Sequence, residues 1–462
     1  MRVKKIHSGI DAIVNLCRFI LSGLFLFSGF VKAIDPLGSQ YKVQDYLEAF
    51  GVAAWFPACV SLVFSIILSS LEFVLGVFLF FGIWQKRTTI VALLFMLVMT
   101  PFTFYLALTN LVSDCGCFGD AWVLTHWQTF WKNVFLLGIA VLVFQERKRI
   151  IRLVSIKSQG WIAWYVLPFI VILSIYCLMY LPIFDFRPYK TGVNIRESMG
   201  IPPDAKPSVY ESIFILEKDG QKKEFTSNNY PDTTWTFVDV RNVLKKKGYE
   251  PPIADFSMID LPSGEDIAEQ VLTDEDYTFL LTIWSVEEAD DSNIDLINEL
   301  YDYCTENGYS FYGLTSSSGE QIEQWRYKTG AEYPFCLTDP IALKTMIRSN
   351  PGLMLIKNGI ILNKWSDKDL PNEYVLNDRL ENIRLGEMKQ DKKINSIGII
   401  IFWFVLPLLI VSGIDDLFVR RRFRRKLIEE LPNLTHLLIK KEYEKKDCCG
   451  KLENEQNSPR GS

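Results

Sequence analysis

The sequence has little with which to bind a metal, a haem or a nucleotide. Its 462 residues include only three histidines (His7, His126 and His436), and its nine cysteines show no zinc-finger spacing. It also lacks a Walker loop, a dinucleotide fingerprint, a nucleophile elbow and a zinc-protease helix. These absences argue against a standalone hydrolase or nucleotide-dependent enzyme, and against a histidine-rich cofactor site.

Charged residues are equally scarce in long stretches of the first 185 residues, where apolar runs dominate. The chain is 49% hydrophobic and 14% aromatic, which is too apolar for one soluble domain of this length. A spanning helix needs about 20 mostly apolar residues. Six segments qualify, at residues 13–33, 59–83, 88–111, 127–144, 161–184 and 397–414. The net charge of −5 indicates no nucleic-acid partner. The expected partner of the apolar segments is the lipid bilayer.

Basic residues occur at every second connection between these segments. They cluster at residues 2–5, 86–87, 147–152 and 420–425. Because Lys and Arg are retained on the cytoplasmic side, we predict a protein of the bacterial cytoplasmic (inner) membrane with both termini cytoplasmic and residues 186–394 extracytoplasmic. A cleaved signal peptide is the rival interpretation, but the first apolar run is too long and no small-residue cleavage site follows it.

Two charged side chains fall within the first two predicted spans. Glu72 lies near the middle of the second span, where a carboxylate is costly unless it is protonated or paired. Arg18, in the first span, is its expected partner, since antiparallel neighbours would bring both residues to similar depth. The pair either fixes helix packing or forms a proton or small-molecule site, although no second acid completes a proton relay.

The segment Asp114-Cys-Gly-Cys-Phe-Gly-Asp120 between the third and fourth spans is the most chemically specific in the chain. Two thiols separated by one glycine can close a small strained disulfide, which the predicted extracytoplasmic location permits. Cys115 and Cys117 are therefore a candidate redox pair. A permanent disulfide, separate disulfides, inert thiols or a thin copper site with His126 remain alternatives. Cys59, Cys177 and Cys336 are candidate resolving cysteines.

Several of these residues form a pattern shared with known membrane proteins. The pattern comprises Arg18, Ser28-Gly29 and Lys32 in the first span, Glu72 and Gly76 in the second, and the loop Cys115-Gly-Cys117-Phe-Gly119. With it, the first 145 residues resemble the DoxX and MauE class of four-helix membrane proteins, and the loop makes MauE the closer match. MauE-like proteins are associated with maturation of a disulfide-rich periplasmic dehydrogenase subunit in methylamine utilisation, and DoxX-like proteins with quinone-linked redox systems. The resemblance implies redox-linked membrane biology, an extracytoplasmic protein partner and, as the only cofactor it suggests, a quinone.

Residues 251–366 alternate between strand and helix patterns. The signals are an apolar strand at Phe279–Trp284, a helix after Ile294, a strand at Tyr309–Leu314, a capping box from Ser318 to Gln321, a helix start at Asp339-Pro340, and two strands joined by Asn358-Gly359. This order resembles the thioredoxin fold of the membrane-anchored TlpA and ResA thiol reductases. The resemblance places Pro351 at the family's cis-proline position.

The likeness breaks at the residues that would exchange thiols. Where that class has Cys-x-x-Cys, this chain has Glu288 and Asp291, and carboxylates cannot perform thiol exchange. A noncatalytic scaffold that binds a protein or peptide is therefore the alternative to a redox function. Cys304 and Cys336 remain. Each is either a small buried hydrophobe or a site that receives a disulfide from the Cys115/Cys117 pair.

The expected fold class is a membrane all-α protein, with a DoxX/MauE-like four-helix bundle and two further transmembrane helices, that carries an α/β thioredoxin-like soluble domain. The predicted segments are the bundle at 1–150, a basic loop and fifth helix at 151–185, a strand-rich lead-in at 186–250, the degenerate thioredoxin-like domain at 251–394, a sixth helix at 395–415 and a basic cytoplasmic tail at 416–462. A hairpin is expected at Lys218-Asp-Gly220. The tail is expected to hold an amphipathic stretch at 427–439 and free thiols at Cys448 and Cys449.

Overall fold

A computed structural model describes residues 9–112, 115–202, 204–205, 209–218, 221–226, 236–246, 248–249, 251–254, 256–388 and 398–421. Its helices are α1 (Gly9–Ile34), α2 (Pro36–Ala49), α3 (Ala58–Phe81), α4 (Gln85–Thr109), α5 (His126–Gln145), α6 (Gln159–Met179), α7 (Ile195–Met199), α8 (Ala268–Thr273), α9 (Ile294–Asn307), α10 (Gly319–Thr329), α11 (Pro340–Met346) and α12 (Gly398–Arg421). Its strands are β1 (Val209–Lys218), β2 (Gln221–Thr226), β3 (Thr236–Lys246), β4 (Ile259–Asp260), β5 (Tyr277–Ile283), β6 (Ser310–Thr315), β7 (Phe335–Leu337), β8 (Gly352–Lys357) and β9 (Ile360–Ser366). The predictions for residues 427–439, Cys448 and Cys449 lie outside the described residues.

Six helices, α1, α3, α4, α5, α6 and α12, are long and apolar enough to cross a membrane. They confirm the six predicted spans. The four-helix bundle is built around extensive packing of α1 on α3 and of α4 on α5. Helix α6 packs on α1 and α3, and α12 lies beside α6, with the rings of Phe169 and Phe404 4.8 Å apart.

Glycines allow α1 and α3 to approach closely. A Cβ on Gly29 would lie 2.4 Å from the backbone nitrogen of Phe73, and one on Gly76 would lie 2.7 Å from that of Leu26. Small residues at helix contacts are the usual device for close packing in membranes. These contacts also fix which residues of the two antiparallel helices lie at the same depth.

Helix α2 is a short element that the hydrophobic pattern did not predict. Asp35 caps it by accepting a hydrogen bond from the backbone nitrogen of Gly38 at 3.0 Å, and Pro36 begins the helix. It packs on α3 at the end of the bundle that carries the soluble domain. We call this end the outer end and the opposite one the basic end.

The soluble domain is built on a six-stranded sheet with the order β4-β7-β6-β5-β8-β9. Strands β5, β6 and β7 are parallel, whereas β8 is antiparallel to β5 and β9 to β8. Strand β5 is buried throughout and lies at the centre of two apolar clusters, one on each face of the sheet. This strand order, with a crossover helix between parallel strands and an antiparallel hairpin at the end, is thioredoxin-like.

Local signals in the sequence produce the expected turns and caps. The capping box from Ser318 to Gln321 begins α10, and Asp339 caps α11. Asn358 and Gly359 have φ of 49° and 70° and join β8 to β9, as expected for a tight hairpin turn. These three predictions are confirmed.

A separate three-stranded sheet, ordered β2-β1-β3, accounts for the strand-rich lead-in. Lys218 pairs with Gln221 at the antiparallel end of β1 and β2, so the hairpin is present. Its two turn residues lie outside the described part of the chain.

Candidate functional site

The Cys-Gly-Cys loop is anchored from two sides at the outer end of the bundle. The carbonyl oxygen of Cys115 accepts a hydrogen bond from the Tyr46 hydroxyl on α2 at 2.8 Å, and that of Cys117 lies 2.8 Å from Ser28 Oγ on α1. Between them Gly116 has a φ of +57°, a conformation that side chains disfavour. The glycine is therefore required by the backbone path, and the two helices fix where the cysteines lie.

An ion pair lies directly beneath this loop. Lys32 Nζ donates to Glu72 Oε1 at 2.8 Å and to Oε2 at 3.0 Å, and both side chains are almost fully buried. Ser28 Oγ is 2.6 Å from Glu72 Oε2 as well as 2.8 Å from the Cys117 carbonyl. Because a hydroxyl has one proton, Ser28 donates to one of these acceptors at a time. It thus links the ion pair to the loop.

The predicted partner of Glu72, Arg18, is wrong. The contacts at Gly29 and Gly76 place Glu72 level with the outer part of α1, where Lys32 lies. Arg18 is fourteen residues away along that helix, which is about 21 Å at 1.5 Å per residue. It is fully buried near the basic end instead, where Nη1 donates to the Ile151 carbonyl. The error came from assigning the two residues the same depth.

A small pocket joins the ion pair to the second cysteine. It has a volume of about 40 Å³, and its lining includes Lys32, Glu72, Cys117 and Lys132. The ammonium of Lys132 lies 4.2 Å from the centre of the Phe118 ring. The pocket is lined by charged and apolar side chains and has room for water.

No metal centre accompanies the cysteines in the described part of the chain, where no three His, Cys, Asp or Glu side chains come together. Cys117 is half-buried and has a free thiol, whereas Cys115 is buried. Copper capture with His126 therefore has only a thin ligand set to draw on.

The soluble domain docks beside this loop through Arg348. Arg348 Nη2 donates to Asp35 Oδ2 at 3.0 Å and to Asp120 Oδ2 at 3.3 Å. Arg348 Nε lies 3.1 Å from each of the two Asp35 carboxylate oxygens. Asp35 caps α2, and Asp120 is the last residue of the segment that contains the Cys-Gly-Cys loop. One buried arginine thus ties the soluble domain to both elements that surround the cysteines.

Burial and charge compete at this contact. Burial alone would raise the pKa of Asp35, but the charges of Arg348 and Arg187 and hydrogen bonds from Arg348 and Gly38 hold it below its usual value. The pKa of Asp120 is raised, because desolvation outweighs the charge of Arg348. Asp35 makes the shorter contact with Arg348, at 3.0 Å against 3.3 Å for the more exposed Asp120.

A cleft of about 920 Å³ lies between the bundle and the soluble domain. Gly116 and Gly119 of the loop line it on one side, and Lys344 and Arg348 on the other. Lys344 Nζ also lies 5.1 Å from the ring centre of Tyr41 on α2. The bundle and the soluble domain thus meet at the Cys-Gly-Cys loop.

The position of the missing Cys-x-x-Cys lies next to Pro351. The Asn350–Pro351 peptide bond is cis, and the Asn350 carbonyl accepts from the backbone nitrogen of Asp290 at 2.9 Å. Glu288 is exposed, and Asp291 pairs with Lys328. The segment next to Pro351 therefore carries two carboxylates, one exposed to solvent and one paired with a lysine.

Lys344 connects the end of β5 to helix α2. Its Nζ lies 5.1 Å from the ring centre of Tyr41 on α2 and 5.3 Å from that of Trp284, the residue that follows β5. Burial raises the pKa of Tyr41 to about 12.

The remaining cysteines lie apart from this arrangement. Cys304 and Cys336 are fully buried in the core of the soluble domain, and burial raises the pKa of Cys336 to about 12. Cys177 is buried in α6, and Cys59 is exposed at the start of α3. Buried thiols with raised pKa react poorly, which leaves Cys59 as the accessible one of the three predicted resolving cysteines.

Sequence reasoning missed α2, Lys32 as the partner of Glu72, and Arg348. A signal for α2 was present, since Asp35-Pro36 is the same helix-start pair that was used at Asp339-Pro340. Lys32 could have been found by counting depth from the span ends. Arg348 has no local signal, because its partners are hundreds of residues away in sequence.

Comparison with known proteins places the two halves of the chain separately. Residues 10–145 match the family described as Methylamine utilisation protein MauE, and residues 210–247 match a domain of unknown function, DUF8463. The search of curated proteins found no match.

Solved structures similar to the soluble domain include the thioredoxin domain of a thiol-disulfide oxidoreductase from Bacteroides vulgatus. It is 17% identical, with coverage of 24% of this chain and 84% of that one, and has a TM-score of 0.21. StoA from Bacillus subtilis is 18% identical, with coverage of 24% and 86% and a TM-score of 0.20. The strand order described above, independently of these scores, defines the soluble domain as thioredoxin-like.

The fold and site together define a multipass membrane protein with a thioredoxin-like domain docked beside a Cys-Gly-Cys loop. Within it, residues 10–145 match the MauE family model.

Proposed function

We propose that this protein is a membrane redox-accessory protein that exchanges disulfides with an extracytoplasmic protein through Cys115 and Cys117. The observation that carries the proposal is the placement of the loop. Its two cysteines are fixed between a charged pocket inside the bundle and a cleft that opens beneath a thioredoxin-like domain. A thiol pair in such a position can meet a polypeptide without leaving the membrane surface.

The chemistry is reversible thiol–disulfide exchange. Cys117, which is half-buried and lines the same pocket as Lys132, attacks one sulfur of a disulfide in the partner as its thiolate. A mixed disulfide forms, and the partner's other sulfur leaves as a thiolate that takes up a proton. Cys115 then attacks Cys117, closes the loop disulfide and releases the partner's second thiol. The reverse sequence introduces a disulfide into a partner with two thiols, and in each direction one disulfide is made for one broken.

The charged groups around the loop suit this assignment. A cation beside a cysteine is the arrangement in which protein thiols act as nucleophiles. Lys132 supplies that charge, while Lys32 is already neutralised by Glu72 at 2.8 Å. Ser28 holds the Cys117 carbonyl and so keeps the sulfur at the edge of the pocket.

In this proposal the soluble domain holds the partner rather than reacting with it. Glu288 and Asp291 occupy the positions of the missing cysteines, so the domain cannot form a mixed disulfide there. It forms one wall of the cleft through Lys344 and Arg348. Assisting maturation of a disulfide-containing partner is a task that needs both a holding surface and an exchanging thiol pair.

Our proposal also fixes the orientation. Disulfides persist outside the cytoplasm, and the basic connections would then lie inside, in agreement with the positive-inside rule. We accordingly assign the protein to the bacterial cytoplasmic membrane, with the soluble domain and the Cys-Gly-Cys loop extracytoplasmic and the two ends of the chain cytoplasmic.

A noncatalytic scaffold is the second candidate function. It is favoured by the loss of both thiols from the thioredoxin-like domain and by the ion pair that Asp291 makes with Lys328. In that case the loop cysteines would hold the α4–α5 connection in shape, and the cleft alone would bind a protein or peptide.

Single cysteine substitutions distinguish the two functions. In cells that express the full chain, C115S removes the resolving thiol, so Cys117 should accumulate as a mixed disulfide that is visible on non-reducing gels and identifiable by peptide mass. C117S should trap far less, and C17S, which removes a half-buried thiol of α1 outside the loop, should behave as wild type. If C115S traps no partner while the protein remains in the membrane, the scaffold function replaces the exchange function.

A further inference from the structure

A second concave site lies at the basic end of the bundle, on the opposite side from the Cys-Gly-Cys loop. It has a volume of about 400 Å³ and lies between the α3–α4 turn and the segment that connects α5 to α6. Five of its nine lining residues are basic, namely Lys86, Arg87, Arg147, Lys148 and Arg152. The others are Trp84, Gln85, Ile156 and Gln159, and the lining contains no acidic residue.

The walls of this pocket are held by specific contacts. The backbone nitrogen of Trp84 donates to Gln159 Oε1 at 3.2 Å, and Gln85 Nε2 donates to the Ile150 carbonyl at 2.9 Å. Arg147 donates to the Phe144 carbonyl at 3.0 Å. The two connections are thus tied to each other, so the cations line a formed pocket.

The carboxylates nearest this end have other partners. Arg149 pairs with Glu146 at 2.7 Å and with Asp11 at 3.1 Å, and Asp415 accepts hydrogen bonds from the backbone nitrogen of Ser155 and from Ser158 Oγ, both at 2.7 Å. Among the described residues, no carboxylate forms an ion pair with Arg87, Arg147 or Arg152. The pocket therefore presents a concentrated cationic surface.

Arg18 adds an independent observation. It is fully buried, and its Nε and Nη2 have no hydrogen-bond partner in the described structure. Its Nη1 lies 3.2 Å from the position of a Cβ on Gly82, and the Cα of Arg152 lies 3.4 Å from the same position. A buried guanidinium without a counter-charge is costly in a membrane protein. Arg18 therefore places a further uncompensated charge just behind the pocket.

We infer that this pocket binds the phosphate group of an anionic phospholipid. Phosphate oxygens accept several charge-assisted hydrogen bonds at once, which suits a ring of arginines and lysines. The pocket lies at the ends of the spanning helices, at the depth of lipid headgroups, and basic pockets between helices on this side of a membrane bind anionic headgroups. Trp84 and the exposed Ile156 provide an indole and an apolar rim for the glycerol and acyl portions.

The test uses the full chain in nanodiscs. Binding of phosphatidylglycerol and phosphatidylcholine is compared by native mass spectrometry for wild type, R147Q/R152Q and the matched control R420Q/R421Q. The control removes two charges from the same end of the protein but outside the pocket. A second arm adds glycerol 3-phosphate as a soluble competitor, which distinguishes a lipid headgroup from a free phosphate as the source of the anion.

Wild type should retain phosphatidylglycerol over phosphatidylcholine. R147Q/R152Q should lose about thirtyfold in that preference, since each basic residue near the surface contributes about 1 kcal/mol, while the control should keep it. Retention despite excess glycerol 3-phosphate assigns the site to lipid, and displacement assigns it to the phosphate group alone. Equal losses in both variants, or no preference in wild type, would overturn the inference. Thermal unfolding in phosphatidylcholine identifies any variant that has lost its fold.

Discussion

Glu72 and Lys32 form a nearly buried ion pair beneath the Cys-Gly-Cys loop. Such a pair contributes little net stability, because desolvation of both charges offsets their attraction. Its value lies in the geometry that it imposes on Ser28, which contacts both Glu72 and the Cys117 carbonyl. Removal of one partner nevertheless destabilises the folded protein, because it leaves the other charge buried without a counter-charge.

A double-mutant cycle on this pair tests the corrected pairing. E72Q and K32M should each destabilise the purified protein by about 3–5 kcal/mol, and the double variant should lose much less than the sum. Thermal unfolding in detergent measures the free energies. Additive losses would show that the two side chains do not interact. The same double-mutant cycle with R18M and E72Q would then test the original pairing.

The contact between Asp35 and Arg348 predicts a pH dependence. Burial opposes ionisation of Asp35, but Arg348 outweighs it and lowers the pKa of this carboxyl below its usual value near 3.9. A carboxylate with a lowered pKa stabilises the folded state above its unfolded pKa and loses that contribution as the pH falls through its folded pKa. The ionic contact should therefore persist at pH 5 and disappear only below about pH 4.

Comparison of wild type with D35N isolates this contribution. Above pH 5 the variant should be less stable by about 3–5 kcal/mol, because Arg348 remains buried. The two unfolding curves should converge as the pH is lowered towards 3. D378N, which changes an exposed acid on the soluble domain, should follow wild type throughout. A constant difference at every pH would mean that Asp35 does not act through its charge.

At the scale of elements, the α1–α3 contact sets the depth of every site residue in the bundle. Gly29 and Gly76 bring the two backbones so close that no side chain fits between them. That contact places Lys32 beside Glu72 and Ser28 beneath the Cys-Gly-Cys loop. The position of the functional site therefore depends on two glycines that carry no chemistry.

Alanine at Gly29 should separate the two helices. Its Cβ would lie 2.4 Å from the nitrogen of Phe73, and overpacking of this kind costs about 1–3 kcal/mol. Gly23 is the matched control on the same helix, since a Cβ there meets nothing within 4 Å. Thermal unfolding should show a loss for G29A and none for G23A. Equal behaviour of the two variants would contradict the close contact.

The elements also show where sequence patterns were sufficient. Long apolar runs identified six spans because the bilayer imposes a minimum length, and Asn358-Gly359 identified a hairpin because only certain residues adopt its angles. Helix α2 was missed because it is short and has no strong apolar stripe. Its Asp35-Pro36 start was a readable signal, whereas the depth of Glu72 relative to Lys32 required the packing of two helices.

At the scale of the whole molecule, the functional arrangement is a contact between two domains. Arg348 and Asp35 are separated by 313 positions in sequence, and no local pattern predicts such a pairing. The resemblance of each half to a known fold likewise says nothing about how the halves meet. In the proposed function, the cleft between them gives a thioredoxin-like domain that lacks the Cys-x-x-Cys pair a place in the exchange reaction.

The most direct test of this account is differential alkylation of intact membranes, with peptide mapping of the cysteines before and after mild reduction. Cys115 and Cys117 should shift together from a bridged to a free state, while the buried Cys177 and Cys336 should remain unreactive in both conditions. If the loop cysteines instead stay fully bridged, or stay free and unreactive, exchange through this loop is excluded.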